Sequence, residues 1–203
     1  HFNMPVYTEE TRPEIKKIAN IKNDGYNEKS LHIFSHTGTH MDSPKHMIEN
    51  GKSLYEFEIN KFIGKAFLLD VSNLLQDNIE INILKKYEKE IKKSEFLIIK
   101  TGWEKYWNSE KYFYNFPVLT EEAANWICKF NLKGIGVDTI SIDKVDSIHF
   151  KIHKIIFSKD MIIIENLTNL STLTIKKFTF CATPLKYENS DGSPVRAIAI
   201  TNK

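Results

Sequence analysis

Cysteine is almost absent from this chain, with Cys128 and Cys181 the only two. No Cys-x-x-Cys pair can form, which excludes a thiolate zinc site and a dithiol redox centre. Each sulfur sits in an apolar run (Trp126 to Phe130 and Phe178 to Ala182), the setting of a small buried hydrophobe, so no disulfide is expected. A chain so poor in cysteine suits a reducing compartment, and the cytoplasm is the expected location. Net charge is scarce as well: 28 basic against 26 acidic side chains leaves +2, and the lysines form no dense block. Nucleic acid is therefore not an expected partner. No apolar stretch reaches bilayer length, so no membrane-spanning helix is expected, and no secretory leader is visible. Repeats, low-complexity tracts and Pro/Ser-rich linkers are also missing, and one domain over residues 1–203 is expected. The chain opens on His1 and not Met, so further residues upstream are expected.

What is present alternates between short apolar runs and amphipathic stretches. Residues 1–14 read as loop. Leu31 to His36, Ala66 to Val71, Phe96 to Lys100, Gly134 to Val137, Met161 to Ile164, Phe178 to Ala182 and Val195 to Ile200 read as strands. Ile79, Ile83, Leu84, Tyr87 and Ile91 recur at helical spacing and predict a surface helix over 79–93. A second helix is expected over 120–130 with Thr120 at its start, and a third over 145–157. Interleaved strands and helices give an α/β class, and the adjacent strands at the end make the sheet mixed.

One segment concentrates metal-binding chemistry. Residues 36–46 read His-Thr-Gly-Thr-His-Met-Asp-Ser-Pro-Lys-His and hold three of the seven histidines. Imidazole and carboxylate are the ligands that zinc and manganese take. Thr37, Gly38, Thr39 and Pro44 oppose a helix. In an extended chain His36, Gly38, His40 and Asp42 share one parity, so the three donors point to one side, and Gly38 lets a metal approach the backbone. One strand cannot close a coordination sphere. His153, on the expected third helix, and Glu165, directly after four apolar residues, are the candidate partners. On the residues alone, each is equally readable as a helix-surface and a strand-end side chain.

The pattern His36-x-Gly38-Thr39-His40-x-Asp42-x-Pro44-x-His46 resembles the signature of the cyclase family of metal-dependent hydrolases, which includes bacterial kynurenine formamidases and isatin hydrolases. Met4-Pro5-Val6-Tyr7, Lys100-Thr101-Gly102-Trp103, Gly136-Val137-Asp138-Thr139-x-Ser141-x-Asp143, the segment from His153 to Leu167, and Asp191 to Ala197 resemble further family stretches. The resemblance implies a mixed, barrel-like sheet flanked by helices, assembled as a homodimer or higher homo-oligomer. It implies that His36, His40 and Asp42 bind metal, with His153 and Glu165 completing a centre of one or two ions. Zinc is expected first and manganese second. His46 is implied to be the acid/base and not a primary ligand.

The implied reaction is hydrolysis of a small-molecule amide, an aryl formamide such as N-formylkynurenine or a cyclic amide, by hydroxide held on the metal. Tyr7, Phe34, Trp103 and Trp107 are expected to offer an apolar wall to an aromatic substrate, with core packing as the alternative for each. Thr8-Glu9-Glu10, Tyr7, Lys100 and Ser43 depart from the family's usual Pro-Gly-Asp, Trp, Arg and Ala. The first departure falls on the expected substrate side and weighs against N-formylkynurenine in particular. The rival expectation is a family member that binds metal or ligand without turnover. An intact His46 speaks against it.

Overall fold

In the computed structural model, which describes residues 1–74 and 77–201, the apolar runs become the middle of one eight-stranded sheet. The chain enters through a hairpin of β1 (Glu14–Ala19) and β2 (Glu28–His32), linked by the single turn α1 (Ile21–Asp24). It continues through β3 (His40–Asp42), β4 (Ile63–Asp70), a short β5 (Asn78–Ile79), α2 (Ile81–Lys85) and α3 (Glu88–Lys92). Then follow β6 (Phe96–Lys100), β7 (Val118–Leu119), α4 (Glu121–Ile127), β8 (Gly134–Val137) and α5 (Lys151–Phe157). The end carries β9 (Ile162–Glu165), β10 (Lys177–Cys181), β11 (Gly192–Pro194) and β12 (Ile198–Ile200).

The sheet order is β11-β3-β9-β8-β6-β4-β10-β12, curled into a half-barrel. Its four middle strands, β9, β8, β6 and β4, run parallel, and the flanking pairs are antiparallel. This is the mixed α/β domain expected. Strands buried on both faces need continuous apolar sequence, as in Phe96-Leu97-Ile98-Ile99. Alternate side chains feed two cores. Phe67, Leu69, Leu97, Ile99 and Ile163 meet Ala123, Ala124 and Ile127 of α4 and Ile152 and Ile156 of α5. Leu68, Phe96, Ile98, Ile162 and Ile164 meet Leu54, Phe62, Leu167 and Phe180 on the other face.

Several boundaries differ from the sequence reading. The helix expected over 79–93 is two short helices, because Ile79 is taken by β5, which pairs with β7, and Tyr87 leaves helical geometry at φ −118, ψ 18. The helix expected over 145–157 starts at Lys151, since the Asp143 carboxylate takes the N–H groups of Ile152 and His153 there. The strand expected over 31–36 ends at His32. The last expected strand is only Ile198–Ile200, while Val195 donates its N–H to the carbonyl of Thr39. Residues 14–30, read as loop and unassigned chain, form the hairpin together with Leu31 and His32 of the expected strand. Both cysteines are free.

Candidate metal centre

Sheet register assembles the first half of the site. His40 lies directly across from Glu165 in the antiparallel β3–β9 pair, and Asp42 lies across from Ile163. Cross-strand partners share a face, and so do residues two apart, so His40, Asp42 and Glu165 all point to the helix side. Met41 points the other way into the second core. The crossover β8–α5–β9 then lays α5 on the helix side and brings His153 down onto the same group. All four side chains are buried.

His36 arrives differently from expectation. It does not share a strand with His40: residues 35–39 form a turn, with Gly38 at φ +63. That left-handed value is what requires glycine, and an added Cβ would also stand 3.2 Å from Met4 Sδ. The expected shared strand of His36, Gly38, His40 and Asp42 is therefore not formed, and β3 begins only at His40. The Gly38 carbonyl instead accepts from His40 Nδ1 (2.8 Å) and from Asn166 Nδ2 (2.9 Å). The turn still delivers the His36 ring to the group, seated over Gly192, where a Cβ would stand 2.6 Å from His36 Cε1.

The donors converge on Asp42. His36 Nδ1 lies 2.7 Å and His40 Nε2 3.2 Å from Asp42 Oδ1. His153 Nε2 lies 3.2 Å from Glu165 Oε1, and His40 Nε2 3.5 Å from Glu165 Oε2. Two three-residue groups result, His36–His40–Asp42 and Asp42–His153–Glu165, with Asp42 common to both. Every one of the three imidazoles has its other nitrogen engaged. His36 Nε2 lies 3.0 Å from Asp191, His40 Nδ1 binds the Gly38 carbonyl, and His153 Nδ1 lies 2.7 Å from Asp143. Such outward bonds fix ring orientation and leave the inward nitrogen free to bind.

The charge balance of the group favours a bound cation. Burial pulls the His36 pKa down, but its hydrogen bonds and charge contacts with Asp42 and then Asp191 outweigh this and hold it at about 9. Burial is likewise outweighed at His40 by the Asp42 charge, and at His153 by Asp143, Asp42 and Glu165, so both are raised. Asp42 is driven well below the carboxylate range, as His40, His153 and His36 overcome its burial. Yet its Oδ2 is buried with no hydrogen-bond partner, and His153 Nε2 stands 3.8 Å away. An orphaned carboxylate oxygen amid three inward imidazoles and a second carboxylate is a donor set that fits a divalent cation.

His46 sits apart from this set. Pro44 opens a single helical turn, Pro44–His46, that bends the chain after β3. The bend stacks His46 on His36 at 4.0 Å between ring centroids and leaves it half-buried, 6.2 Å from His153. Burial lowers its pKa to about 4 against the pull of the Asp42 charge, and His36 and His153 add to the lowering. His46 is thus shifted in the opposite direction to His36, His40 and His153. Its Nδ1 lies 3.9 Å from Asp191, and His36, His46 and Asp191 are also close enough to share a cation at the outer edge.

A family model described as putative cyclase matches residues 1–144. The chain belongs to the cyclase family. It is 33% identical over 163 residues to a kynurenine formamidase of Bacillus cytotoxicus, covering 80% of this chain and 75% of that protein. Its fold superimposes on isatin hydrolase A from Ralstonia solanacearum with a TM-score of 0.86 at 23% identity, over 98% of this chain and 88% of that one. A structure titled a predicted metal-dependent hydrolase, from Bacillus stearothermophilus, matches at TM-score 0.80 and 28% identity, over 98% and 93%.

Within this cyclase-family fold, three further residues shape the site that sequence reasoning left without a role. Asp143 holds His153, Asp191 holds His36, and Asn166 ties the Gly38 turn to the end of β9 through Gly38 and Thr39. Asp143 and Asp191 stood within the quoted family stretches, which was the available signal. The expected aromatic residues disperse. Tyr7 is exposed, and its hydroxyl donates to the Val145 carbonyl; Phe34 is partly exposed beside His32. Trp103 packs on Tyr106 and donates to the Tyr112 carbonyl, and Trp107 lines a cavity with Met4, Gly38 and Tyr112.

Proposed function

We propose that this cyclase-family chain is a metal-dependent amidohydrolase that opens the C–N bond of a small aryl formamide or cyclic amide. The observation that carries the reading is the grouping of His36, His40, His153 and Glu165 around Asp42, whose Oδ2 is buried without a hydrogen-bond partner, with His46 beside them. The names of the relatives, kynurenine formamidase and isatin hydrolase, support the bond type. His36, His40 and Asp42 would hold one ion, and Asp42, His153 and Glu165 a second, zinc first and manganese next. An ion so held supplies Lewis acidity and water that ionises near neutral pH. His46 moves the proton. With Nδ1 towards Asp191, Nε2 is the atom that accepts a proton from the attacking water and returns it to the departing amine. The working form is a homodimer.

The test uses metal-free protein reloaded with zinc or manganese and offered N-formylkynurenine, formanilide and isatin. Turnover of at least one, abolished by chelation, is the expected result. Full metal occupancy without turnover of any of them would leave a binding protein in its place. In the same preparations His46→Ala is expected to lower kcat by about two to four decades with metal stoichiometry kept. Metal lost in step with activity would make His46 a ligand.

A further inference from the structure

Seven non-glycine residues of the described chain have positive φ; five are asparagines and one is Asp160. Short polar side chains tolerate that region by bonding to their own backbone. The seventh is Phe150, at φ 47 and ψ 50. A large aromatic residue is a poor occupant of left-handed backbone, and its presence asks for a reason. Helix capping is not the reason. The Phe150 side chain caps nothing, and Asp143 already holds the N–H groups of Ile152 and His153. Core packing is not the whole reason either, since the residue remains 39% exposed. Its ring meets His153 edge-on, at 6.3 Å between centroids and 83°. His153 turns Nε2 inward to Asp42 and Glu165, so the partly exposed Phe150 packs on the ring of a residue of the candidate centre. The loop ending in Phe150 also carries Val145, whose carbonyl receives the Tyr7 hydroxyl, and Ile148, which is 80% exposed.

We propose that Phe150 is a specificity-determining residue: its ring is the wall against which the aryl group of an aromatic amide lies, and the left-handed backbone is retained to hold the ring there. This rests on the amidohydrolase reading above and names the residue that selects its substrate class. Asparagine or glycine would make the same turn without strain but would give the aryl group nothing to lie on.

The probes are benzohydroxamate and acetohydroxamate, two metal chelators that differ in the aryl group, titrated into zinc-loaded protein. Phe150→Ala removes the ring and keeps the strain, Phe150→Asn removes both, and Phe150→Tyr keeps the ring. The preference for benzohydroxamate should fall about tenfold in the Ala and Asn variants and survive in the Tyr variant, with acetohydroxamate affinity unchanged. The ratio of kcat/KM for formanilide to that for N-methylformamide should fall in parallel. The Asn variant should melt about 2–4 °C above the Ala variant. Equal losses for both chelators, or metal lost from the Ala and Asn variants, would reduce Phe150 to a cover over His153 and overturn the proposal, as would an unchanged preference. Aryl preference that depends on Phe150 in a wild type with no amide turnover would keep the wall and reject the hydrolase. A protein that takes up no metal overturns both.

Discussion

At the scale of single residues, the site is a balance of protons that a cation would replace. His36 is held at about 9, above the usual 6.5, so it binds a proton more tightly folded than unfolded. That contribution is full below 6.5 and disappears as pH rises through about 9. His46, depressed to about 4, acts oppositely: it favours the folded state above 6.5 and loses that effect as pH falls towards 4. Chelated protein is therefore expected to melt highest near pH 6.5 and progressively lower towards pH 9. Ligand imidazoles must be neutral, so metal uptake at pH 7 should expel protons from His36 and its raised neighbours His40 and His153. Titration calorimetry in two buffers of different ionisation enthalpy reads this directly. Identical heats in both buffers, or a melting temperature flat from pH 6.5 to 9, would show that these imidazoles carry no protons in the metal-free protein at pH 7.

At the scale of elements, β3 and α5 do most of the positioning, and α5 depends on one carboxylate. Asp143 accepts from the N–H groups of Ile152 and His153 and orients the His153 ring, so capping and ligand aiming share a side chain. Asp143→Asn can still cap through its carbonyl but cannot hold the imidazole as an anion does. It should weaken metal binding about 10–100-fold with little change in melting temperature. Asp143→Ala should add a loss of about 1 kcal/mol from the uncapped helix. Competition with a chromophoric chelator, alongside thermal melts, separates the two, and equal metal affinity in all three proteins would deny Asp143 a role in aiming His153. This bond also shows where sequence legibility stops. His40 and Asp42 were readable as facing one side because β3 is a strand and alternation holds there, whereas Glu165, a carboxylate after four apolar residues, was equally readable as a strand end. His36 was readable as a donor but not in its route, since the Gly38 turn breaks the parity. Asp143 and Asp191 reach their histidines across loops of the fold, 10 and 155 residues away, where no periodicity carries the contact. The hairpin escaped because Lys16-Lys17 and Lys29-Ser30 interrupt any alternation of apolar residues.

At the scale of the whole molecule, the hairpin is the part that the sheet does not account for. β1 and β2 form a separate two-stranded sheet, exposed along almost its whole length. An isolated hairpin is marginal in water. This one nevertheless presents apolar side chains outward: Ile18 is 59% exposed, Ile21 65% and Tyr26 56%, and the cross-strand pair Ile15 and Leu31 is 39% and 59% exposed. Exposed apolar side chains suit an association face, and a second copy of the chain is the occupant that the proposed homodimer would place there. Leu31→Lys sets a charge beside Ile15 in the middle of that face. Light scattering after size exclusion should find the wild type dimeric at micromolar concentration and the variant largely monomeric. β2 ends four residues before His36, so an unsupported hairpin should also loosen the turn that aims His36. Metal affinity is then expected to fall together with dimer content, while far-ultraviolet circular dichroism shows the main sheet intact. A monomeric wild type, or a variant that stays dimeric, would show that this hairpin is not the interface.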